Sequence, residues 1–447
     1  MPTTPFSSRR RRTRAAATLT AAAASMALLA ACGSSADSAA APAEDGKPVT
    51  ITFWGWAKGT QEVVDAFNAS HKDVQVKFEA IPSGNAGGYA KISNAVKAGN
   101  APDVFNTEYG QLPDFVSKGA VQDITKLVSS ELKAKYLPQS VELTTLGGAT
   151  YGLPLDAAPQ AFFYRKDLFE KAGITSPPKT WDEYRADAEK LKKADPNSRI
   201  GTFFPDDPGV FEAMSWQAGA RWFSGADGSW KIDIKGAETQ RVADYWQKMI
   251  SDDLVRVEPS FSQQWTASLQ KGGTAGYLGA AWGGGVLKST VPDTSGKWAA
   301  AAVPTWDGQP ASGMLGGSTF AVSKDSKKAK AAVEYASWAT TTPEGIQARI
   351  ASGTSSMFPA SPALVPVAKA AFKTDFYGGQ DIYSVFVDAG KSIKQGWEWG
   401  PAMGATNGAI KDSFGKLSQG GTIQTALDAG QQATVAELKN RGLKVSE

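Results

Sequence analysis

The apolar positions of this chain fall into short alternating runs and longer stripes at helical spacing, and the two kinds take turns. Residues 49–54 (VTITFW) read as a β-strand, and 60–70 as a helix with Val63, Val64 and Phe67 on one face. Residues 74–80 form a second strand. Tyr89, Ile92 and Val96 mark a second helix that stops at the break Gly99-Asn100-Ala101-Pro102, and Asp103-Val104-Phe105 is a third strand. Strand, helix, strand, helix, strand predicts a parallel α/β sheet. In such sheets ligands bind beyond the carboxyl ends of the strands, which points to Gly55-Trp56-Ala57-Lys58 and to Asn106-Thr107-Glu108-Tyr109.

A new αβ unit opens at 151–184. A loop carries the lone carboxylate Asp156, a short apolar strand covers 161–164, and a helix of one or two turns closes at Gly173, where a left-handed residue costs glycine little. Thr180 and Glu183 have the T-x-x-E spacing of a reciprocal helix start, with Tyr184, Ala188 and Leu191 following on one stripe. A second α/β region, 157–304, holds the loop Asp206-Asp207-Pro208-Gly209, a helix with Phe211, Met214 and Ala218, and the glycine-dense GYLGAAWGGG at 276–285. Gly316-Gly317-Ser318 then leads into a strand and a helix with Ala329, Val333 and Ala336. The part from Ser361 is mostly helical. Its last helix opens at Thr422, carries Ile423, Leu427, Gly430 and Leu438 on one stripe, and stops before Gly442.

The start of the chain changes the picture. Arg9 to Arg12 and Arg14 precede a small-residue apolar stretch, and Leu29-Ala30-Ala31-Cys32 is a lipobox, so 1–31 reads as a lipoprotein export signal and Cys32 as its acylation site. The stretch is too short and alanine-rich for a spanning helix. Residues 33–47 (GSSADSAAAPAEDGK) lack any large apolar side chain and read as a flexible tether. Cys32 is the single cysteine, so disulfides are excluded and stability must come from a large core. Five of the 47 basic residues lie in the signal and none of the 44 acidic ones, leaving 42 against 44. No basic field remains for nucleic acid. The roughly 400 residues that follow exceed one ordinary core and predict two domains.

The available chemistry is narrow. One histidine, His71 in a polar turn, and one cysteine cannot build a His/Cys metal cluster or a Cys–His nucleophile, and no phosphate-cradling loop precedes a helix. We therefore expect no catalytic residue, metal or cofactor. A glycosidase needs only two carboxylates, and no pair stands out. The 14 tryptophans are the outlier. Trp54, Trp181, Trp216, Trp222 and Trp338 lie on regular elements and are expected in the core. Trp56, Trp282, Trp397 and Trp399 sit in loop or glycine-rich settings. A sugar presents a C–H face and a rim of hydroxyls, so its site wants flat aromatic platforms beside carboxylates that accept hydroxyl hydrogens. Gly396-Trp397-Glu398-Trp399-Gly400-Pro401 supplies both within six residues.

YGLP at 151–154, FFYRKDLFEKAGI at 162–174 and PPKTWDEY at 177–184, with APDVF at 101–105, resemble bacterial extracellular solute-binding proteins of the maltose-binding-protein type, which capture sugars for ABC importers. Arg165 stands where most of that family carry asparagine. The resemblance implies a two-lobed α/β, periplasmic-binding-protein-like fold with the ligand cleft between the lobes. It implies chain crossings near Asp156, Pro304 and Phe358, hence a first lobe of 48–156 with 305–358 and a second of 157–304 with 359–447. It also brings Glu108, Asp156 and Glu398 to the cleft. The expected binding residues are thus Trp56, Glu108, Tyr109, Asp156, Trp282, Gly317, Ser318, Trp397, Glu398 and Trp399, with Asp207 and Phe211 as weaker candidates. The expected partners are a carbohydrate, an oligosaccharide by the number of tryptophans, and the transmembrane subunits of an ABC permease. The mature chain is expected as a monomer, lipid-anchored on the outer face of the cytoplasmic membrane. A binding protein for a non-sugar solute and a surface-anchored glycan-active enzyme stay open as alternatives.

Overall fold

The computed structural model describes residues 47–446, Asp227 excepted. The export signal, Cys32 and all of the tether but Lys47 lie outside the described residues.

Alternation builds the first sheet. In Val49–Gly55, the side chains of Ile51 and Phe53 are buried and their neighbours are not, so one face of the strand meets the core. The strand pairs in parallel with Val74–Ala80 and with Val104–Glu108. Ser318–Val322, from much later in the chain, joins antiparallel beside Val104–Glu108, and Leu153–Pro154 forms the far edge. Helix Thr60–Ser70 buries Val63, Val64 and Phe67 and packs on Ala329–Thr341 and Pro343–Ala351. Trp54, expected in the core, is only half-buried, with the Lys91 ammonium 4.5 Å from its ring centroid.

The second lobe is built on Gln160–Arg165, which runs between two antiparallel neighbours, Gly276–Ala280 and Trp298–Ala301. Its helices include Trp181–Ala194, Pro208–Gln217 and Ala237–Ser251, with the packed pair Met403–Phe414 and Ile423–Asn440. The helix starts follow the side chains expected of them. The Thr180 hydroxyl accepts from the Glu183 N–H at 3.1 Å, and the Glu183 carboxylate reaches back to the Lys179 N–H at 2.6 Å. Thr422 likewise caps the last helix. Gly283–Thr290 has no capping side chain and opens directly on the glycine run after Trp282. Those glycines answer to space. A Cβ on Gly283 would stand 2.8 Å from Tyr277, and one on Gly285 2.6 Å from the Thr354 carbonyl.

The two lobes are joined where three passages of the chain lie side by side. Asp156–Ala157 pairs antiparallel with Phe358–Pro359, the Leu315 N–H donates to the Ala158 carbonyl at 3.0 Å, and Gln160 Oε1 accepts from the Gly313 N–H at 2.8 Å. Just before this 313–315 stretch the Thr305 N–H donates to the Lys179 carbonyl at 2.9 Å and the Ser312 N–H to the Ser392 carbonyl at 3.0 Å. Away from these passages the lobes touch again. Asp114, buried on helix Leu112–Ser117, takes Arg441 from the end of the last helix at 2.9 Å, while the Ser117 hydroxyl donates to the Pro401 carbonyl at 3.1 Å.

Candidate functional site

Between the lobes lies a cavity of about 530 Å³, well within the range of small-molecule sites. The first lobe contributes the ends of its strands, as a parallel α/β sheet should. Glu108 is the last residue of Val104–Glu108, and Trp56 follows Val49–Gly55 directly. Tyr89 stands edge-on to Trp56, with centroids 5.9 Å apart, and its hydroxyl donates a hydrogen bond to Glu108. Burial, helped by the charges of Asp207 and Asp156, lifts the Glu108 carboxyl to about 7 against the lowering pull of Tyr89.

Asp156 lies on the first passage between lobes and accepts from the Ser318 N–H at 2.7 Å. Burial lifts its carboxyl to about 7, opposed by that bond and by the Arg349 charge. Gly316 and Gly317 bring the backbone to this point with φ of +75° and +87°, conformations that favour glycine. Arg349, itself buried, donates through Nη1 to the Lys58 carbonyl and the Thr60 hydroxyl; its Nε and Nη2 have no partner among the described residues.

The second lobe faces them with carboxylates and rings. Asp207 caps helix Pro208–Gln217, accepting from the Gly209 N–H at 3.1 Å. Burial raises it to about 6, with Asp206 adding and Lys411 opposing. Glu212, on the same helix, is 3% exposed; its Oε1 lacks a partner among the described residues, and burial pushes it well above the usual carboxylate range. Trp282 is pinned by its Nε1 to the Leu315 carbonyl at 2.9 Å. Trp399 crosses toward the first lobe, where a Cβ on Gly110 would come within 3.3 Å of its ring.

Of the ten residues expected from sequence, Trp56, Glu108, Asp156, Trp282, Gly317, Ser318 and Trp399 line this one cavity, and so does Asp207. Tyr109, Trp397 and Glu398 stand outside the lining. Tyr109 is fully buried beneath Gly317 and donates its hydroxyl to the Asp156 carbonyl at 2.9 Å, so it props the wall from behind. The Trp397-Glu398-Trp399 run alternates in, out, in. Trp397 stacks on Trp216 at 5.4 Å and 5° and backs Trp399, while Glu398 is exposed and accepts from the Gly225 N–H at 3.3 Å. Phe211 is buried against Trp222 and Phe414. Sequence reasoning missed Tyr89, Asp206, Glu212, Phe261, Arg349 and Lys411. A signal existed for one: Glu212 lies one turn and a half beyond Asp207 on a helix whose start was legible.

Aromatic rings set among acceptors with little charge-pairing suit a polyhydroxylated ligand with apolar faces. Among the described residues no group of His, Cys, Asp or Glu is arranged to hold a metal. A structure of the ABC-transporter-associated binding protein of B. animalis subsp. lactis Bl-04, in complex with β-1,6-galactobiose, superposes on 90% of this chain and all of its own, with 28% identity and a TM-score of 0.81. The galacto-N-biose-/lacto-N-biose I-binding protein of Bifidobacterium longum, in complex with lacto-N-biose, does so over the same shares with 29% identity and a TM-score of 0.79. A binding protein of Brucella abortus is 29% identical over 276 residues, 60% of this chain; the match spans 65% of that relative's length. The family described as bacterial extracellular solute-binding protein matches residues 55–346, more than half of the sequence, and this chain belongs to it.

Proposed function

We propose that this protein captures an oligosaccharide in the cleft and delivers it to an ABC permease. As a member of its family it is a transport binding protein rather than an enzyme, and its ligand is a carbohydrate. The observation that carries the finer reading is the split of one wall between two lobes: Trp56 and Glu108 stand on one side, and Trp282, Trp399 and Asp207 on the other. A ring held between such surfaces bridges the lobes and favours the closed arrangement, which a permease can then distinguish from the open one. The three adjacent passages at 156–159, 313–317 and 358–359 serve as the hinge.

Trp56, Trp282 and Trp399 act as ring platforms, and Glu108, Asp156 and Asp207 as hydroxyl acceptors, with the Gly317-Ser318 backbone close by. The arginine-led signal and the Leu29-Ala30-Ala31-Cys32 motif support a mature chain tethered by lipid at Cys32 to the outer face of the cytoplasmic membrane. The test is thermal shift and tryptophan fluorescence of the chain from Gly33 onward against glucose-, galactose- and arabinose-based mono-, di- and trisaccharides. The expected result is a raised melting temperature with a spectral change for at least one sugar, recovered intact. Silence across the panel, or cleavage of a sugar, overturns the reading.

A further inference from the structure

Phe261 is the most exposed large apolar side chain among the described residues, at 47%. It is also one of two non-glycine residues there with positive φ, at +54°, a conformation that disfavours a bulky side chain. Folding gains nothing from either property. Both are nonetheless imposed from each side. The Asp206 carboxylate takes the backbone N–H of Ser260 at 2.7 Å and its hydroxyl at 2.9 Å. Ser262 caps helix Gln263–Lys271, accepting from the Trp265 N–H at 3.1 Å. Residue 261 is the single joint between two fixed points.

The ring is placed as firmly as the backbone. It stands edge-on to the buried Trp265, with centroids 5.4 Å apart at 84°, and lies beside Trp282 at 6.1 Å and 61°. Trp282 is itself pinned, so two held apolar rings, their planes 61° apart, stand side by side in the cavity lining, Phe261 being the exposed one.

We propose that Phe261 is the platform for the outermost ring of the bound glycan and makes the cleft select for ligand length; this rests on the sugar-binding reading above. A sugar on Trp282 leaves its linked neighbour over Phe261, where it covers a ring that is otherwise wet. A monosaccharide on Trp282 gains nothing from it. The 61° between the planes suits a linkage that turns the second ring away from the first. Strain at 261 is then the means by which an apolar face is kept available in the unliganded protein.

Titration calorimetry of the wild-type chain, Phe261→Ala, Phe261→Gly and Trp282→Ala with the same sugar panel tests this. The alanine and glycine variants are expected to lose at least tenfold in affinity for the longest sugar bound and progressively less for shorter ones, whereas Trp282→Ala loses at every length. Glycine accepts the +54° backbone, so Phe261→Gly should also melt higher than wild type, which separates a lost platform from a damaged fold. An equal loss at every length, or none, overturns the role of Phe261 while leaving the sugar site standing. A wild-type chain that binds no sugar overturns both.

Discussion

Trp282 and Trp397 both follow small or flexible residues in the sequence, yet their side chains do opposite work. Trp282 lines the cavity; Trp397 is 6% exposed and stacked on Trp216. Trp282→Ala should therefore cost about 1.5–3 kcal/mol of sugar binding, roughly ten- to a hundredfold, with little change in melting. Trp397→Ala should cost about 3–5 kcal/mol of stability, and a urea titration distinguishes the two. The carboxyls give a second test. Glu108, Asp156 and Asp207 are raised to about 7, 7 and 6 from unfolded values near 4. The folded chain thus binds more protons than the unfolded one between about pH 4 and 7, and its stability falls as pH rises through that window and is level above it. Sugar hydroxyls donating to these groups favour the ionised form, so binding should release protons near pH 6.5 and weaken as pH falls. Melting curves at pH 5 and 8, and calorimetry in two buffers of different ionisation enthalpy, read both signs; proton uptake on binding would mean the carboxyls act as donors. Strand-end residues such as Trp56 and Glu108 were legible because a short β-rich run that gives way to glycine or polar residues locates a strand end. Phe261 and Arg349 were not, since the partners that place them, Asp206 and Thr60, are distant in sequence and visible only after folding.

At the scale of elements, local signals predicted local structure. The T-x-x-E start, the glycine stop at 173 and the stripe Ile423, Leu427, Gly430, Leu438 each depend on residues within two or three turns, and each is found where the spacing puts it. The helix Gly283–Thr290 escaped because its glycines are selected by neighbours from 354–356 and Tyr277 rather than by helix propensity. Contacts between elements of different lobes have no sequence period at all. One is the grip of the last helix on Leu112–Ser117: Asp114 holds Lys118 at 2.6 Å, Gln111 at 2.7 Å and Arg441 at 2.9 Å, and Arg441 also donates to the Pro401 carbonyl at 2.7 Å. Opening the cleft on this side separates Arg441 from Asp114 and returns both to water. Lys118 and Gln111 stay with Asp114, so Arg441→Met leaves no uncompensated charge and should change closure by about 1 kcal/mol, near the net value of such a bond. The expected result is a several-fold weaker sugar affinity, expressed as a faster off-rate, with the melting temperature of the unliganded chain almost unchanged. An unaltered off-rate would show that the contact does not report on closure.

The whole molecule is two lobes that no single cut in the chain can separate. The first sheet takes strands from 49–108, 153–154 and 318–322, on both sides of the second sheet's 160–165, 276–280 and 298–301, and helices Met403–Phe414 and Ile423–Asn440 return to pack on Pro208–Gln217 and Ala237–Ser251. The passages between them are themselves paired, Asp156–Ala157 on Phe358–Pro359 and Pro159 beside Met314. Losing either lobe removes the partners of these strands and one wall of the cavity together. The two lobes should then melt as one cooperative unit, even though about 400 residues would ordinarily allow independent domains. A sugar at a hundred times its Kd adds about 2.7 kcal/mol to the folded side. Because that sugar touches both walls, the gain belongs to the whole unit, and the single calorimetric transition should move upward without splitting. Two transitions, of which the ligand moves only one, would instead place the binding energy on one lobe and remove the physical basis for closure driven by a bridging ligand.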